Sequence, residues 1–328
     1  MLNQVLFTIG DQKFDWEDAA LAAQLRGEWA RLEKVTRQGL ACEQRAAETG
    51  EWPAAQEVQA TANEFRYAHN LISAQETQDW LNHWGLTVEG WMGYFRRSLL
   101  RERWANHLKE IIAAYPATPE EVAETIKCES LCSGELTQWA YQLAGRAALA
   151  RQEKMNVAAT GCDAAPPAQA RKEILTRIEK VYQTLREQIV TPQARCTQIA
   201  HHHLDWIRFD CRYIWFPEER LAREAAFCVR EDGLTLDEVA QDARLIVQPY
   251  NFYLDEIEPA RRNQFLAAQV GDWIGPLNLF EGFTLFGVLG KSLPSDDDLR
   301  VRSRAEEAVM SAVCSREISS RVTWLAQL

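Results

Sequence analysis

The sequence predicts an α+β protein: a mainly helical N-terminal part, a small sheet flanked by helices, and a long closing helix. Three observations carry this. Capped segments with apolar residues every three or four positions follow one another to about residue 200. A run of aromatic and β-branched side chains alternating with polar ones begins at Trp206, and residues 295–328 return to a helical pattern. With 328 residues, 47% of them apolar and 25% charged, and a mean hydropathy of −0.34, the chain is long enough to bury two cores.

In chain order, Val5 to Ile9 reads as a strand, Gly10-Asp11 as a turn and Lys13-Phe14 as the returning strand. Asp15 then stands as an N-cap, with Asp18 at the third helical position, where its charge complements the helix dipole. Ser73 and Glu76 form a capping box ahead of Trp80, Leu81 and Trp84, and Gly85 stops that helix. Thr87 caps the next, whose apolar side carries Val88, Trp91, Met92, Phe95, Leu99 and Leu100. Thr118-Pro119 joins an N-cap to a proline at the first helical position. Residues 158–170 (AATGCDAAPPAQA) break the pattern as a surface loop or linker. A helix from Arg171 to Ile189 follows, and Thr191-Pro192 opens a short one that ends near His201-His202-His203.

Trp206 to Phe216 (WIRFDCRYIWF) reads as a strand, because bulky apolar and polar residues alternate in it. Pro217 opens a helix to Asp232, ended by Gly233, and Thr235 with Glu238 boxes a short helix through Ala243. The residues from there to Glu258 read as irregular. Pro259 to Gln269 is helical, Gly271 to Pro276 turns into a strand, and Phe283 to Leu289 is the final strand. Ser295 caps the last helix, with Asp296, Asp297 and Asp298 in its first turn. The implied division is a helical domain over 1–200 with a loop near 158–170, a sheet-bearing domain over 205–293, and a helix over 295–328 that packs back on the helical domain.

The charge balance of 36 basic against 47 acidic residues, net −11, would repel a phosphate backbone, so nucleic acid is not an expected partner. No apolar run reaches the roughly eighteen residues of a membrane helix. The N-terminus has no basic leader, so the chain is expected in the cytoplasm or as an already processed product. Eight cysteines without a CxxC pair fit reduced thiols. Twelve tryptophans, eight of them by Trp139, suit both interhelical core and a surface that grips apolar peptide. The set Trp80, Trp84, Trp91, Phe95 and Trp104 stands at helical spacing and reads as core.

Residues 206–291 resemble a parvulin-type peptidyl-prolyl isomerase domain, and the whole chain resembles the SurA and PpiC group of helical chaperones that carry one. Arg212-Tyr-Ile-Trp-Phe216 stands in the place of that family's first strand, and Pro217 to Ala240 matches the helix, glycine and short helix after it. Gly271-Asp-Trp-Ile-Gly-Pro276 is similar to the family's Gly-Glu-x-x-Gly-Pro turn, and Glu281-Gly-Phe-Thr-Leu-Phe to its Phe-Gly-Tyr-His-Ile-Ile strand. Pro259 lies twelve residues before Gly271, as the resemblance requires, and Pro294 stands just before the returning helix. The resemblance implies a small antiparallel sheet, a helical SurA-like N-terminal domain, and a polypeptide client.

An isomerase of this kind lowers a rotation barrier of about 18–20 kcal/mol without covalent chemistry, using an apolar slot for proline and polar groups that favour the twisted amide. Carried over by position, the family's two histidines fall on Tyr213 and Thr284, its Met on Ile257, and its two pocket Phe residues on Arg261 and Leu266. Its Gly-Gly-Asp-Leu-Gly segment has no counterpart between Ala243 and Glu258. No catalytic residue is therefore expected, and Tyr213 and Thr284 are degenerate positions. What the resemblance leaves is a concave aromatic face able to hold an extended segment, with Tyr213, Trp215, Ile257, Arg261, Leu266, Phe283 and Thr284 as its expected peptide-binding residues. Alternation puts Tyr213 and Trp215 on one face of their strand and Ile214 and Phe216 on the other.

His201, His202 and His203 invite a metal reading, but consecutive helical residues point about 100° apart, and a polar cluster at a helix end fits better. Cys128 and Cys132 share a helix face and read as buried small residues. No Walker loop, dinucleotide fingerprint or nucleophile elbow is present, and no cofactor is expected. The function expected is a folding or maturation factor that binds a peptide or unfolded polypeptide, in its specific form an accessory protein for a ribosomally made precursor peptide. The alternatives are an active isomerase with a site rearranged around Tyr213 and Thr284, and a metal-dependent protein using the triple histidine. The sequence leaves the oligomeric state open.

Overall fold

In a computed structural model, residues 4–152, 168–279 and 281–326 are described, and they fold as an α+β chain. The chain runs through β1 (Val5–Ile9), β2 (Gln12–Asp15), α1 (Trp16–Arg26), α2 (Trp29–Thr49), α3 (Ala55–Ala68), α4 (Ala74–Trp84) and α5 (Val88–Arg103). It continues through α6 (Leu108–Ala114), α7 (Pro119–Cys132), α8 (Glu135–Gln152), α9 (Ala168–Ile189) and α10 (Pro192–His201). Then come β3 (Arg208–Phe216), α11 (Glu219–Glu231), α12 (Leu236–Ala243), β4 (Gln248–Tyr253) and α13 (Pro259–Ala267). Last are β5 (Trp273–Leu279), β6 (Gly282–Ser292), α14 (Leu299–Arg321) and β7 (Val322–Trp324). Contacts divide it into two units, one made of residues up to Leu185 together with those from Val313, the other of Arg186–Ala312. The boundaries thus fall inside α9 and α14, where the sequence suggests about residue 205 and 293.

In the helical unit, β2, β1 and β7 form a small antiparallel sheet in that order. Phe7 and Phe14 stack across β1 and β2 with ring centroids 4.7 Å apart, inside a core that also takes Trp84, Trp139 and Leu143. A second cluster gathers Phe65, Leu81, Trp91 and Phe95, with Cys128 and Cys132 against it and their sulfurs 3.9 Å apart. Trp84, Trp91, Phe95 and Trp104 are buried and Trp80 is half-buried, so the aromatic set is interhelical core. Capping follows the sequence at three helix starts. Ser73 with Glu76, and Thr118 with Glu121, close reciprocal boxes, and the Thr87 hydroxyl accepts from the Gly90 N–H.

Two buried ion clusters set this unit apart. The Arg97 guanidinium is buried, donating from Nε to Glu129 at 2.7 Å and from Nη1 to Glu43 at 3.2 Å. Gly39 on α2 makes room for it, since a Cβ there would stand 3.0 Å from the Cβ of Arg97. At the start of α1, Asp15 caps the helix while Asp18 reaches back to the Asp15 N–H, and Arg171 of α9 donates to both carboxylates at 2.8 and 3.0 Å. Burial, together with the Asp15 carboxylate beside it, pushes Asp18 up to about 7.

The sign of that shift sets a pH dependence. Between the ordinary aspartate range and about pH 7 the folded chain holds a proton on Asp18 that the unfolded chain has released, so this group's contribution to stability falls as pH rises through that window. Urea unfolding of the wild type should lose more stability from pH 5 to pH 8 than Asp18→Asn does. Equal slopes in the two proteins would remove Asp18 as the source.

Several elements differ from the sequence reading. Residues 244–258, read as irregular, contain β4; its Pro249 and Asn251 obscure alternation, and proline is tolerated because β4 is an edge strand. The last helix starts at Leu299 and not at Ser295, because Asp298 accepts from the N–H groups of Arg300 and Val301 and is fixed in place by the Tyr253 hydroxyl at 2.8 Å. It ends at Arg321, where the chain turns into β7 beside β1 instead of remaining helical to 328. The helix from Pro259 ends at Ala267, short of Gln269. Residues 168–170 of the small-residue stretch begin α9, and the rest of the expected loop, 158–167, lies outside the described residues.

Candidate functional site

In the second unit, β4, β3, β6 and β5 form an antiparallel sheet in that spatial order. Alternation along β3 sends Phe209, Cys211, Tyr213 and Trp215 to one face and Ile214 and Phe216 to the other. The second face is covered by α11 and α12, whose Ala222, Ala226, Val229 and Val239 pack with Ile214, Phe216 and Leu285. The first is covered by α13 over part of its area, through Phe265 against Phe209, Phe252 and Phe286.

Beyond α13 this face is a shelf of half-buried aromatics. The Tyr213 ring stands 5.9 Å from Tyr250, edge to face, and 5.7 Å from Phe286, and its hydroxyl donates to Gln248 Oε1 at 2.8 Å. Tyr250 continues it on β4, its ring 5.3 Å from the buried Phe252. Burial, with Glu256 and Tyr213 nearby, pushes the Tyr250 phenol above its ordinary value, so it stays protonated and able to donate. Trp215 is 37% exposed at the far end. Its indole lies over Gly282, where a Cβ would fall 2.5 Å from Nε1 and 2.7 Å from the Phe216 carbonyl, so only glycine fits beneath it.

The seven expected peptide-binding residues do not form one surface. Tyr213, Trp215 and Leu266 belong to the shelf side, and Arg261 lies on α13 against β5. There the Arg261 Nη1 donates to the Asn278 carbonyl at 2.6 Å while Nε meets Glu258 at 3.2 Å. Thr284 pairs with Trp215 across the sheet on the same face but is fully buried, its hydroxyl directed to the Leu279 carbonyl at 3.5 Å. Ile257 is 6% exposed and is core. Phe283 pairs with Phe216 and joins the opposite face, because adjacent residues of one strand cannot both face a ligand. Gln248 and Tyr250 escape the sequence reading together with β4 itself; the aromatic spacing of Tyr250 and Phe252 is the signal that points to them.

Along the outer edge of the sheet, β5 borders a groove of about 680 Å³ lined by Arg230, Gln264, Ala268, Trp273 and Gly275 among others. Arg230 donates to the Gly275 carbonyl at 2.8 Å. The triple histidine diverges. The His202 ring stacks on Trp206 at 4.6 Å and its Nδ1 stands 3.6 Å from Asp205, while His203 Nδ1 bonds the Ala200 carbonyl at 3.1 Å. Among the described residues no three His, Cys, Asp or Glu side chains are grouped to hold a metal.

An α+β chain with a four-stranded antiparallel sheet, helices on both its faces, and a large helical unit is the class this architecture defines. Solved structures similar to it are PrsA and SurA-like chaperones. A peptidylprolyl isomerase, PrsA, of Bacillus anthracis is 14% identical, with 68% of this chain and 96% of that one covered and a TM-score of 0.25. PrsA of Bacillus subtilis is 10% identical, with 68% and 85% covered and a TM-score of 0.22. A structure from a pair of SurA-like chaperones of Campylobacter jejuni, one described as periplasmic, is 12% identical, with 98% and 99% covered and a TM-score of 0.20. No protein-family model and no curated protein matches the sequence. With likenesses this distant, the site is read from its own residues. Among the described residues no helix is long and apolar enough to cross a membrane.

Proposed function

We propose that the chain is a folding factor that binds extended or unfolded polypeptide on the aromatic shelf of its small sheet, with proline isomerisation weak or absent. One observation carries the reading: Tyr213 and Trp215 of β3 and Tyr250 of the edge strand β4 form a partly exposed aromatic surface, the arrangement that takes an extended segment by side-chain pockets and backbone pairing. The weak isomerisation rests on the buried Thr284 and on the Arg261 guanidinium, a cation held at the Asn278 carbonyl where a proline ring needs an apolar wall. The narrower form of the proposal has a ribosomally made precursor peptide as client. A cytoplasmic setting belongs to it also.

The test pairs two measurements. In a protease-coupled assay on a short X-Pro peptide, the protein should leave the cis–trans rate close to its uncatalysed value. In fluorescence anisotropy with a neutral aromatic peptide, binding should weaken about ten- to thirtyfold in the double variant Tyr213→Ala/Trp215→Ala. Catalysis that falls on Tyr213→Phe would overturn the first half, and unchanged binding would overturn the second.

A further inference from the structure

The helical unit carries a groove of about 940 Å³ whose walls come from three places: α4, the end of α3 with the turn after it, and the α7–α8 turn with Leu325 beyond β7. Spacing explains the α4 wall. Glu76, Asp79, Trp80 and His83 stand at i, i+3, i+4 and i+7, one stripe of the helix, while Thr77, Leu81 and Trp84 turn the other way into the core. The groove lining holds two carboxylates and two imidazoles, those of His69 and His83, but no lysine and no arginine. Glu76 closes the capping box, and its bonds with Ser73, helped by the more distant Arg66 guanidinium, hold its carboxyl below the ordinary value, so it remains an anion. Asp79 accepts from the Gln75 amide at 2.8 Å. Among the described residues neither carboxylate has a cationic partner within 4.0 Å, although ion pairs engage many of this chain's other acids.

Apolar surface adjoins these charges. Trp80 is half-buried, set edge-on to Phe65 at 5.5 Å, and Phe65 stacks on His69 at 3.9 Å. Leu325 in the lining is 55% exposed, and Tyr67 and Ile72, which flank the lining segment 68–71 in the chain, are 67% and 62% exposed. An anionic, aromatic groove with apolar side chains beside it is complementary to one kind of occupant. We propose that it is a second client site, taking a stretch of extended polypeptide in which an arginine or lysine stands next to apolar residues. The cation sits between Glu76 and Asp79 against Trp80, where Coulomb attraction and the ring face both favour it, and its apolar neighbour covers Leu325. The same carboxylates repel acidic peptide and phosphate. This rests on the proposed client-binding role and adds to it a charge preference that the sheet's aromatic shelf does not supply.

The full chain is titrated by anisotropy with a short acetylated, fluorescein-labelled peptide of arginines set among leucines and serines, and with the same peptide carrying citrulline for arginine. The wild type should bind the arginine peptide about tenfold more tightly, and Asp79→Lys should abolish that preference with circular dichroism unchanged. Glu76→Gln, which keeps a capping-box residue, should lose part of it. Because Tyr213→Ala/Trp215→Ala should keep the arginine preference, failure of the groove and failure of the shelf register separately. Equal affinity for arginine and citrulline peptides, or an arginine preference that survives Asp79→Lys, would overturn the proposal. So would sedimentation showing a dimer that Asp79→Lys dissolves, since the groove's occupant would then be a second copy of this chain.

Discussion

Replacing Phe265 by alanine should destabilise the sheet-bearing unit by about 3–5 kcal/mol and remove with it the client binding proposed for the shelf. Phe265 is fully buried and is the residue by which α13 enters the core, touching Phe209, Phe252 and Phe286 at centroid distances of 5.7, 5.1 and 5.7 Å. Truncation leaves a cavity among three rings that belong to separate strands and cannot close in together. It also frees α13, which carries Arg261 and Leu266. Amide exchange should show lost protection over residues 259–268 before any loss over α11, because α11 packs on the other face of the sheet. Denaturation by urea gives the magnitude, and a loss under about 1 kcal/mol would mean that α13 docks by another route.

In the helical unit the expected effect of Arg97→Ala is of similar size, about 3–5 kcal/mol, because it strands Glu129 at 2% exposure without its cation. The cost is that of an uncompensated buried charge and exceeds what the ion pair itself contributes. Two further measurements separate these. Burial already pushes the Glu129 carboxyl up, so in the variant it takes a proton as pH falls, and the destabilisation should be smaller at pH 5 than at pH 8. The pair Arg97→Met/Glu129→Leu should recover most of the loss, since an apolar pair needs no desolvation of charge. If the double variant is as unstable as the single, the loss comes from packing around Gly39 and not from the stranded charge.

Much of the local structure was legible because it is written in short-range chemistry. Asp15 with Asp18, Ser73 with Glu76, Thr118 with Glu121 and Thr235 with Glu238 each satisfy N–H groups within four residues, and no tertiary contact is needed to recognise them. What escaped was set at long range. β4 is a strand because β3 offers it hydrogen-bond partners from Arg208 to Tyr213, while its own residues read as irregular. The last helix takes its cap from Asp298 because a tyrosine forty-five residues away holds that carboxylate. For the site, alternation correctly joined Tyr213 with Trp215. Carrying over positions from a distant family could not show that Thr284 is sealed in the core, or that Phe283 faces away. The acidic groove was invisible for a different reason: Glu76 reads as a helix cap and Trp80 as core, and only the fold brings His69 and Leu325 opposite them.

The pairing of β1 with β7 sets a timetable for synthesis. Phe7 waits for Trp324 as its neighbour in the sheet, and at about 5–20 residues per second the ribosome needs roughly 15–60 s to deliver it. Through that interval the second unit, which lies wholly between the two strands in the chain, can complete its own fold. The first cannot, and an edge of β1 with Leu6 and Phe7 beside it stays open to other chains until the last strand emerges. For the length of its own translation the chain thus presents an unpaired strand edge of its own to whatever other polypeptide surrounds it.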